Sequence, residues 1–353
     1  MYQLNLVNRN APGLVLPRYW NLGTLSGGGN VDVNDLLDLA TPWCLRVLVT
    51  LNIPELIEAG HNDVSDLAEA AGCDARALHG VLAHAARKGV FEQPRPGWFE
   101  FNPAAKELAR GARFLDLTGM GSRYAEIWST LLSYTRTGNS AYAELYGRPF
   151  WADLAADPEL ASSFDALLKH PPGHGVPDSD FEISGGWDRV QRIIDVGGAI
   201  GVFLSELLQR HPGLHGTLLD LPETVARARD VLDRAGVSDR VKTVGQSFFD
   251  PLPPGADLYL LRRVLIDWPD QDKVRILRRC ADAARPGGRV VVIGGVSPDD
   301  TPGEVTAELL MMGGWKVTMS EFRDLAQDAG LAVTAASHQP PAKFIIECLP
   351  LPG

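Results

Sequence analysis

The sequence has no long apolar run, few cysteines and no block of positive charge, and each lack closes off a class of protein. None of the 353 residues lies in a stretch approaching the ~20 consecutive apolar residues that cross a bilayer, so no membrane partner is expected. The opening MYQLNLVNRNAPG carries neither the basic segment nor the apolar core of a secretory leader, and a cytoplasmic location is the expectation. Cys44, Cys73, Cys280 and Cys348 are scattered without a CxxC spacing, which argues against a zinc site and against a disulfide framework; no metal is expected. Lysine and arginine total 33 against 44 acidic residues, a formal net charge of −11, and there is no basic run. The average field repels a phosphate backbone, so nucleic acid is not an expected partner.

At roughly 150 residues per domain, the length suits about two domains, and the texture of the chain divides accordingly. Residues 1–32, with Pro12, Pro17 and Gly27-Gly28-Gly29, read as an arm and linker. Residues 33–112 read as helices followed by a hairpin. Apolar residues at helical spacing in LLDLATPWCLRVLVTLNIPELIEAG are broken at Asn52–Pro54. Asp63 or Ser65 can cap SDLAEAAG, and Asp74 can cap DARALHGVLAHAARKG. VFEQPRPGWFEFN then reads as two strands turned around Pro94–Gly97. This is the order of a winged helix, but its third helix offers only Arg76, Arg87 and Lys88, so it reads as a packing or dimerisation module. Residues 113–180 are helical, loop-rich and aromatic, and end in the Pro/Gly hinge HPPGHGVPDSD.

From 181 to 353 the pattern alternates. VQRIIDVGG, HGTLLDLP, RVKTVGQSFFD, ADLYLLRRVL and RVVVIGG read as strands, with helical segments between most of them. Such alternation implies right-handed crossovers and a mostly parallel sheet covered on both faces. Ligands of such sheets sit beyond the C-terminal strand ends. There the sequence places Asp195-Val-Gly197-Gly198-Ala199-Ile200-Gly201, a turn between strand and helix, and Asp220 at the end of the next strand. Glycines let the backbone approach a ligand, the helix start favours an electron-rich group, and an acid at this position can accept from ribose hydroxyls. The combination fits a nucleoside-bearing cofactor, either NAD or S-adenosylmethionine.

The strings DVGGAIGVFLSELLQRHPGLHGTLLDLPETVARA, GQSFFDPLP, LRRVLIDWPDQDKVRILRRC and ARPGGRVVVI, with YGRPFWADLAADPELASSFDALL before them, resemble the class I small-molecule O-methyltransferases that tailor phenolic and polyketide natural products. The resemblance runs from about Asn34 to the C-terminus. It implies an α/β fold: a Rossmann-like catalytic domain behind a winged-helix dimerisation domain, a homodimer, S-adenosylmethionine or S-adenosylhomocysteine as ligand, and an aromatic acceptor held between the domains. By position it implies that Asp195, Gly197, Gly198 and Gly201 line the methionine and ribose part, Asp220 holds the ribose hydroxyls and Leu221 touches the adenine. Phe248 would flank the adenine and Trp268 pack on its face, though core packing accounts for these two rings equally well. Arg262 stands where the family pairs a basic residue with the cofactor carboxylate. Tyr124, Trp128, Tyr142, Ile266, Met311 and Met312 are the candidates for the acceptor wall.

The departures matter as much. The family's catalytic histidine falls at Ile266 in Leu265-Ile266-Asp267-Trp268, its two supporting glutamates fall at Gly294 and Lys316, its adenine-binding aspartate at Ser247 and its third loop glycine at Ala199. Lys316, His170 and His174 are the candidate substitutes for the base, each with a surface-residue reading beside it. Three functions stay open: O-methyl transfer carried mainly by proximity; the same scaffold turned to cyclisation, rearrangement, hydroxylation or decarboxylation; and a catalytically silent binding protein. The resemblance favours the first and the departures favour the second.

Overall fold

The computed structural model describes residues 36–110, 114–169, 179–301, 303–339 and 343–352; His170, His174 and the arm at 1–32 lie outside them. The chain forms two compact units that divide near residue 106, with Val49–Leu51 grouped with the second.

In the first unit, helices α1 (Ala40–Thr50) and α2 (Ile53–Glu58) meet at Asn52, whose left-handed backbone (φ 53°) supplies the break before Pro54. Helices α3 (Val64–Ala71) and α4 (Ala75–Arg87) follow. Asp63 caps α3 by accepting from the Ser65 amide, and Asp74 caps α4 by accepting from Ala77. A hairpin of β1 (Glu92–Arg95) and β2 (Trp98–Glu100) turns through Gly97 at φ 75°, and α5 (Pro103–Arg110) leads out.

The second unit begins with short helices: α6 (Met120–Glu126), α7 (Leu131–Thr137), α8 (Tyr142–Tyr146), α9 (Phe150–Ala156) and α10 (Pro158–Lys169). Met120, Tyr124, Ile127, Tyr142, Phe150, Leu154 and Leu160 form one apolar cluster with Leu310 and Met311, which lie far along the chain. The sheet elements follow as β3 (Arg192–Val196), α11 (Val202–Arg210), β4 (His215–Asp220), α12 (Pro222–Ala226), α13 (Arg229–Ala235), β5 (Val241–Gly245) and β6 (Leu258–Arg262). After these come α14 (Asp270–Ala284), β7 (Arg289–Ile293), β8 (Val296–Ser297), α15 (Ala307–Met312), β9 (Val317–Thr318), α16 (Met319–Asp328), β10 (Leu331–Gln339) and β11 (Lys343–Pro350).

The seven-stranded sheet has the order β10-β11-β7-β6-β3-β4-β5. The five strands from β5 to β7 run parallel, while β11 lies antiparallel to β7 and β10 antiparallel to β11. The inner strands read apolar at nearly every position because both faces are covered. One face packs Ile194, Tyr259 and Val290 on α14 and α16, and the other packs Ile193, Leu218 and Leu260 on α11 and α13. The strand order reverses between β3 and β6, so the crevice beyond their C-terminal ends is the switch point where a ligand fits. No described helix is long and apolar enough to cross a membrane.

Candidate active site

At the end of β3 the chain turns sharply, with Gly197 at φ 71°, Ala199 at φ 50° and Gly201 at φ 80°. A Cβ on Gly198 would lie 2.6 Å from both Asp195 Oδ2 and Leu218 Cδ1, and one on Gly197 would lie 2.9 Å from Val264 Cγ2. Close packing of the turn on its own surroundings therefore demands these two glycines. Ala199 takes the left-handed conformation without being glycine, and its N–H donates to Asp220 Oδ2 at 2.8 Å. The Leu221 N–H donates to Asp220 Oδ1 at 2.8 Å. Asp220 thus ties the turn to the end of β4, and each of its oxygens keeps a lone pair for a further donor. Burial pushes its carboxyl above the usual range.

Asp195 lies beneath the turn, only 1% exposed, and its Oδ2 has no hydrogen-bond partner among the described residues. Burial pushes its carboxyl up to about 7, the Arg262 guanidinium works against that shift, and the neighbouring Asp220 adds to it. An enclosed carboxylate oxygen left unsatisfied costs free energy unless a donor or cation arrives. Arg262, at the end of β6, also stands 5.1 Å from the centre of the Phe203 ring.

Three half-buried rings form a wall beside the turn. Trp268 meets Phe248 edge-on at 5.6 Å and Phe249 at 4.9 Å. On its other side Trp268 lies nearly parallel to Trp151 of α9, at 11° and 6.4 Å between ring centres. The Trp151 indole N–H is buried without a partner among the described residues. Ser247 Oγ accepts from the Phe249 amide at 3.2 Å, a local turn contact.

The backbone leaves little freedom at the glycines around Ile266. Gly294 and Gly295 both have positive φ (75° and 79°), which a glutamate would adopt only under strain. A Cβ on Gly314 would lie 2.1 Å from the Ile266 carbonyl oxygen, so the loop before β9 presses directly onto the Ile266 turn. Lys316 is exposed. Of the acceptor-wall candidates, Ile266 and Met312 are half-buried, and Met311 is buried in the cluster that also holds Tyr124. Tyr142 is turned into that core, 1% exposed, with its hydroxyl donating to Asp153 Oδ2 at 2.7 Å, and Trp128 is 44% exposed. Burial, and then the neighbouring Glu308 and Asp267 charges, push the Tyr124 hydroxyl well above its usual range.

Sequence reasoning missed the placement of Trp151 against Trp268, the nearness of Glu308 to Tyr124, and the ion pair between buried Asp165 of α10 and Arg227 (2.6 Å), which stands beside Asp220. Trp151 lies within a string that carried the resemblance, but nothing local marks its N–H as unsatisfied. Only tertiary contact joins Asp165 to Arg227 or Glu308 to Asp267.

Residues 128–332 match the family model described as the O-methyltransferase domain. The chain is 39% identical over 316 residues to 2,7-dihydroxy-5-methyl-1-naphthoate 7-O-methyltransferase of Streptomyces carzinostaticus, covering 87% of this chain and 94% of that protein. It is 36% identical to aclacinomycin 10-hydroxylase of Streptomyces purpurascens, covering 87% and 85%. It superposes with a TM-score of 0.83 on an O-methyltransferase of neocarzinostatin biosynthesis crystallised with S-adenosylmethionine and 2-hydroxy-5-methyl naphthoic acid, at 37% identity and covering 92% of this chain and 100% of that one.

Proposed function

The chain belongs to the O-methyltransferase family, and on that premise we propose that it binds S-adenosylmethionine and methylates a hydroxyl of a small aromatic, polyketide-type natural product without a histidine base. The observation that carries this reading is the Asp195–Asp220 turn, a buried carboxylate oxygen left unsatisfied at the C-terminal end of the central strand. The donor set suits the cofactor part by part. Asp195 would meet the ammonium group, Arg262 the carboxylate and Asp220 the ribose diol. Leu221, Ser247 and Phe248 would border the adenine and Trp268 would pack on its face, while Gly197, Gly198 and Gly201 let the backbone close in. When bound, the cofactor supplies a methyl carbon made electrophilic by the sulfonium.

The residues of the chain then hold the acceptor oxygen in line with that carbon and exclude water. Such positioning supplies effective molarities of ~10⁵–10⁸ M, against ~10²–10⁴-fold for general-base help, so loss of the histidine is tolerable. Tyr124, Trp151, Ile266 and Met312 are the residues we assign to the acceptor wall. The exposed apolar side chains Leu36, Leu37, Leu39 and Trp43 suit a homodimer, which light scattering would test.

One observation favours a second reading. A relative of 36% identity is a hydroxylase, and the vacated histidine position here is Ile266. The same site would then hold the cofactor intact beside a substrate undergoing other chemistry. Calorimetric titration of S-adenosylmethionine tests what the two readings share. Saturable binding is expected, weakened at least tenfold by Asp220→Ala, and absence of binding to the wild type would overturn both.

A further inference from the structure

A cofactor that enters and leaves its crevice has to pass whatever reaches across it. Helices α9 and α10 form a hairpin whose one-residue turn is Asp157, with its carboxylate accepting from the Glu159 and Leu160 amides at 3.0 Å. Phe164 of α10 meets Phe150 and Trp151 of α9 edge-on, at 5.6 and 6.1 Å between ring centres, so the two helices hold together as one piece. That piece touches the C-terminal rim of the sheet at two places. At one, Trp151 stacks on Trp268, which follows the end of β6. At the other, the Arg227 guanidinium donates to both oxygens of Asp165, from Nε at 2.6 Å and from Nη2 at 3.4 Å. Arg227 directly follows α12, the helix that begins after Leu221 and packs on β4 and β5, and its Nη1 donates to the Glu223 carbonyl oxygen. In the strand order β6-β3-β4 the two contacts lie on opposite sides of β3. The hairpin therefore spans the switch-point crevice from one rim to the other. On its Trp151 end the buried indole N–H has no acceptor among the described residues, which suits a surface that meets a ligand.

We propose that α9 and α10 form a strap across the cofactor crevice and that the Asp165–Arg227 pair is its latch, a positioning pair that sets how long the nucleoside cofactor stays bound. This rests on the cofactor part of the reading above and not on the reaction that follows. Asp165 is 6% exposed, so its carboxylate is costly to leave alone and the pair opens rarely. The planar guanidinium also fixes the distance and angle between α10 and the chain leaving β4. A direct electrostatic role makes a different prediction. Asp165 and Arg227 act on the neighbouring Asp220 in opposite senses, so removing them singly would change cofactor binding in opposite directions. Loss of a latch gives the same direction from either side.

The test measures association and dissociation of S-adenosylhomocysteine on the immobilised full chain by surface plasmon resonance. Asp165→Asn and Arg227→Gln should each speed dissociation about tenfold and change association much less. Arg227→Lys, which keeps the charge without the fork, should fall between them and the wild type. Asp165→Leu with Arg227→Met removes the ion pair without stranding a charge, so it keeps the assay open if a single variant unfolds. It too should release the ligand faster, although its stability is recovered. Hydrogen exchange of the ligand-free protein supplies a second readout: the single variants should exchange faster in α9 and α10 and unchanged in α11. Uniformly faster exchange across the unit, or release that simply follows stability, would mark a structural role and overturn the proposal. Opposite effects of the two single variants, or unchanged dissociation, would overturn the latch and leave cofactor binding standing. Absence of binding to the wild type would overturn both.

Discussion

Ala199 is a residue whose conformation argues against its identity. A left-handed backbone costs an alanine about 1 kcal/mol more than a glycine, and the Ala199 turn holds that conformation because its N–H is fixed by Asp220. Ala199→Gly should therefore raise stability by up to about 1 kcal/mol, measured by denaturant unfolding, and leave the Asp220 contact in place. Asp195 gives a second prediction. Its carboxyl titrates near 7 in the folded protein and near 4 in the unfolded chain, so the folded state binds the extra proton between those values. Stability of the ligand-free protein should fall as pH rises from about 4 to about 7, by up to about 4 kcal/mol from this group. Asp195→Asn should flatten that slope and weaken cofactor binding. A slope unchanged by the substitution would remove Asp195 as its cause.

At the scale of elements, a cross-tie at the edge of the site is the pair of Asp165 on α10 with Arg227 just past α12. Asp165 is 6% exposed, so removing its partner strands a buried charge. Arg227→Met should cost about 3 kcal/mol in urea unfolding, and Asp165→Leu combined with Arg227→Met should recover most of it, because two apolar groups in contact need no counter-charge. Elements of this kind also show what was legible in the sequence. The strands β3, β4 and β7 are legible as apolar runs ending in glycine or an acid, and β6 as an apolar run ending in arginine, because a strand buried on both faces can hardly read otherwise. Asp63 and Asp74 were readable as caps because a cap depends on residues two or three positions away. The clustering of α6 with α15 was not readable, since Tyr124 and Glu308 are brought together only by the fold.

For the whole molecule, the same distinction separates the cofactor site from the acceptor site. The residues assigned to the cofactor come from the ends of adjacent strands, β3, β4, β5 and β6, where topology alone brings them side by side. The residues we assign to the acceptor wall lie mostly on helices α6, α9 and α15, whose packing no local pattern encodes, and there the sequence named Tyr142 while the structure turns it into the core. A ligand that binds only the folded state stabilises it by mass action, about 2.7 kcal/mol at a hundredfold excess over Kd. S-adenosylmethionine at that excess should raise the unfolding midpoint of the sheet-bearing unit, and Asp220→Ala should lose the shift.

The central claim is that positioning at the β3 turn suffices for methyl transfer without the histidine. Mass spectrometry of the protein incubated with S-adenosylmethionine carrying a trideuterated methyl group and a hydroxylated naphthalene or anthraquinone tests it directly. The account predicts a product heavier by one intact labelled methyl, formed in step with S-adenosylhomocysteine and diminished by Asp220→Ala. Recovery of the cofactor unchanged beside an oxygenated, decarboxylated or rearranged product would contradict it.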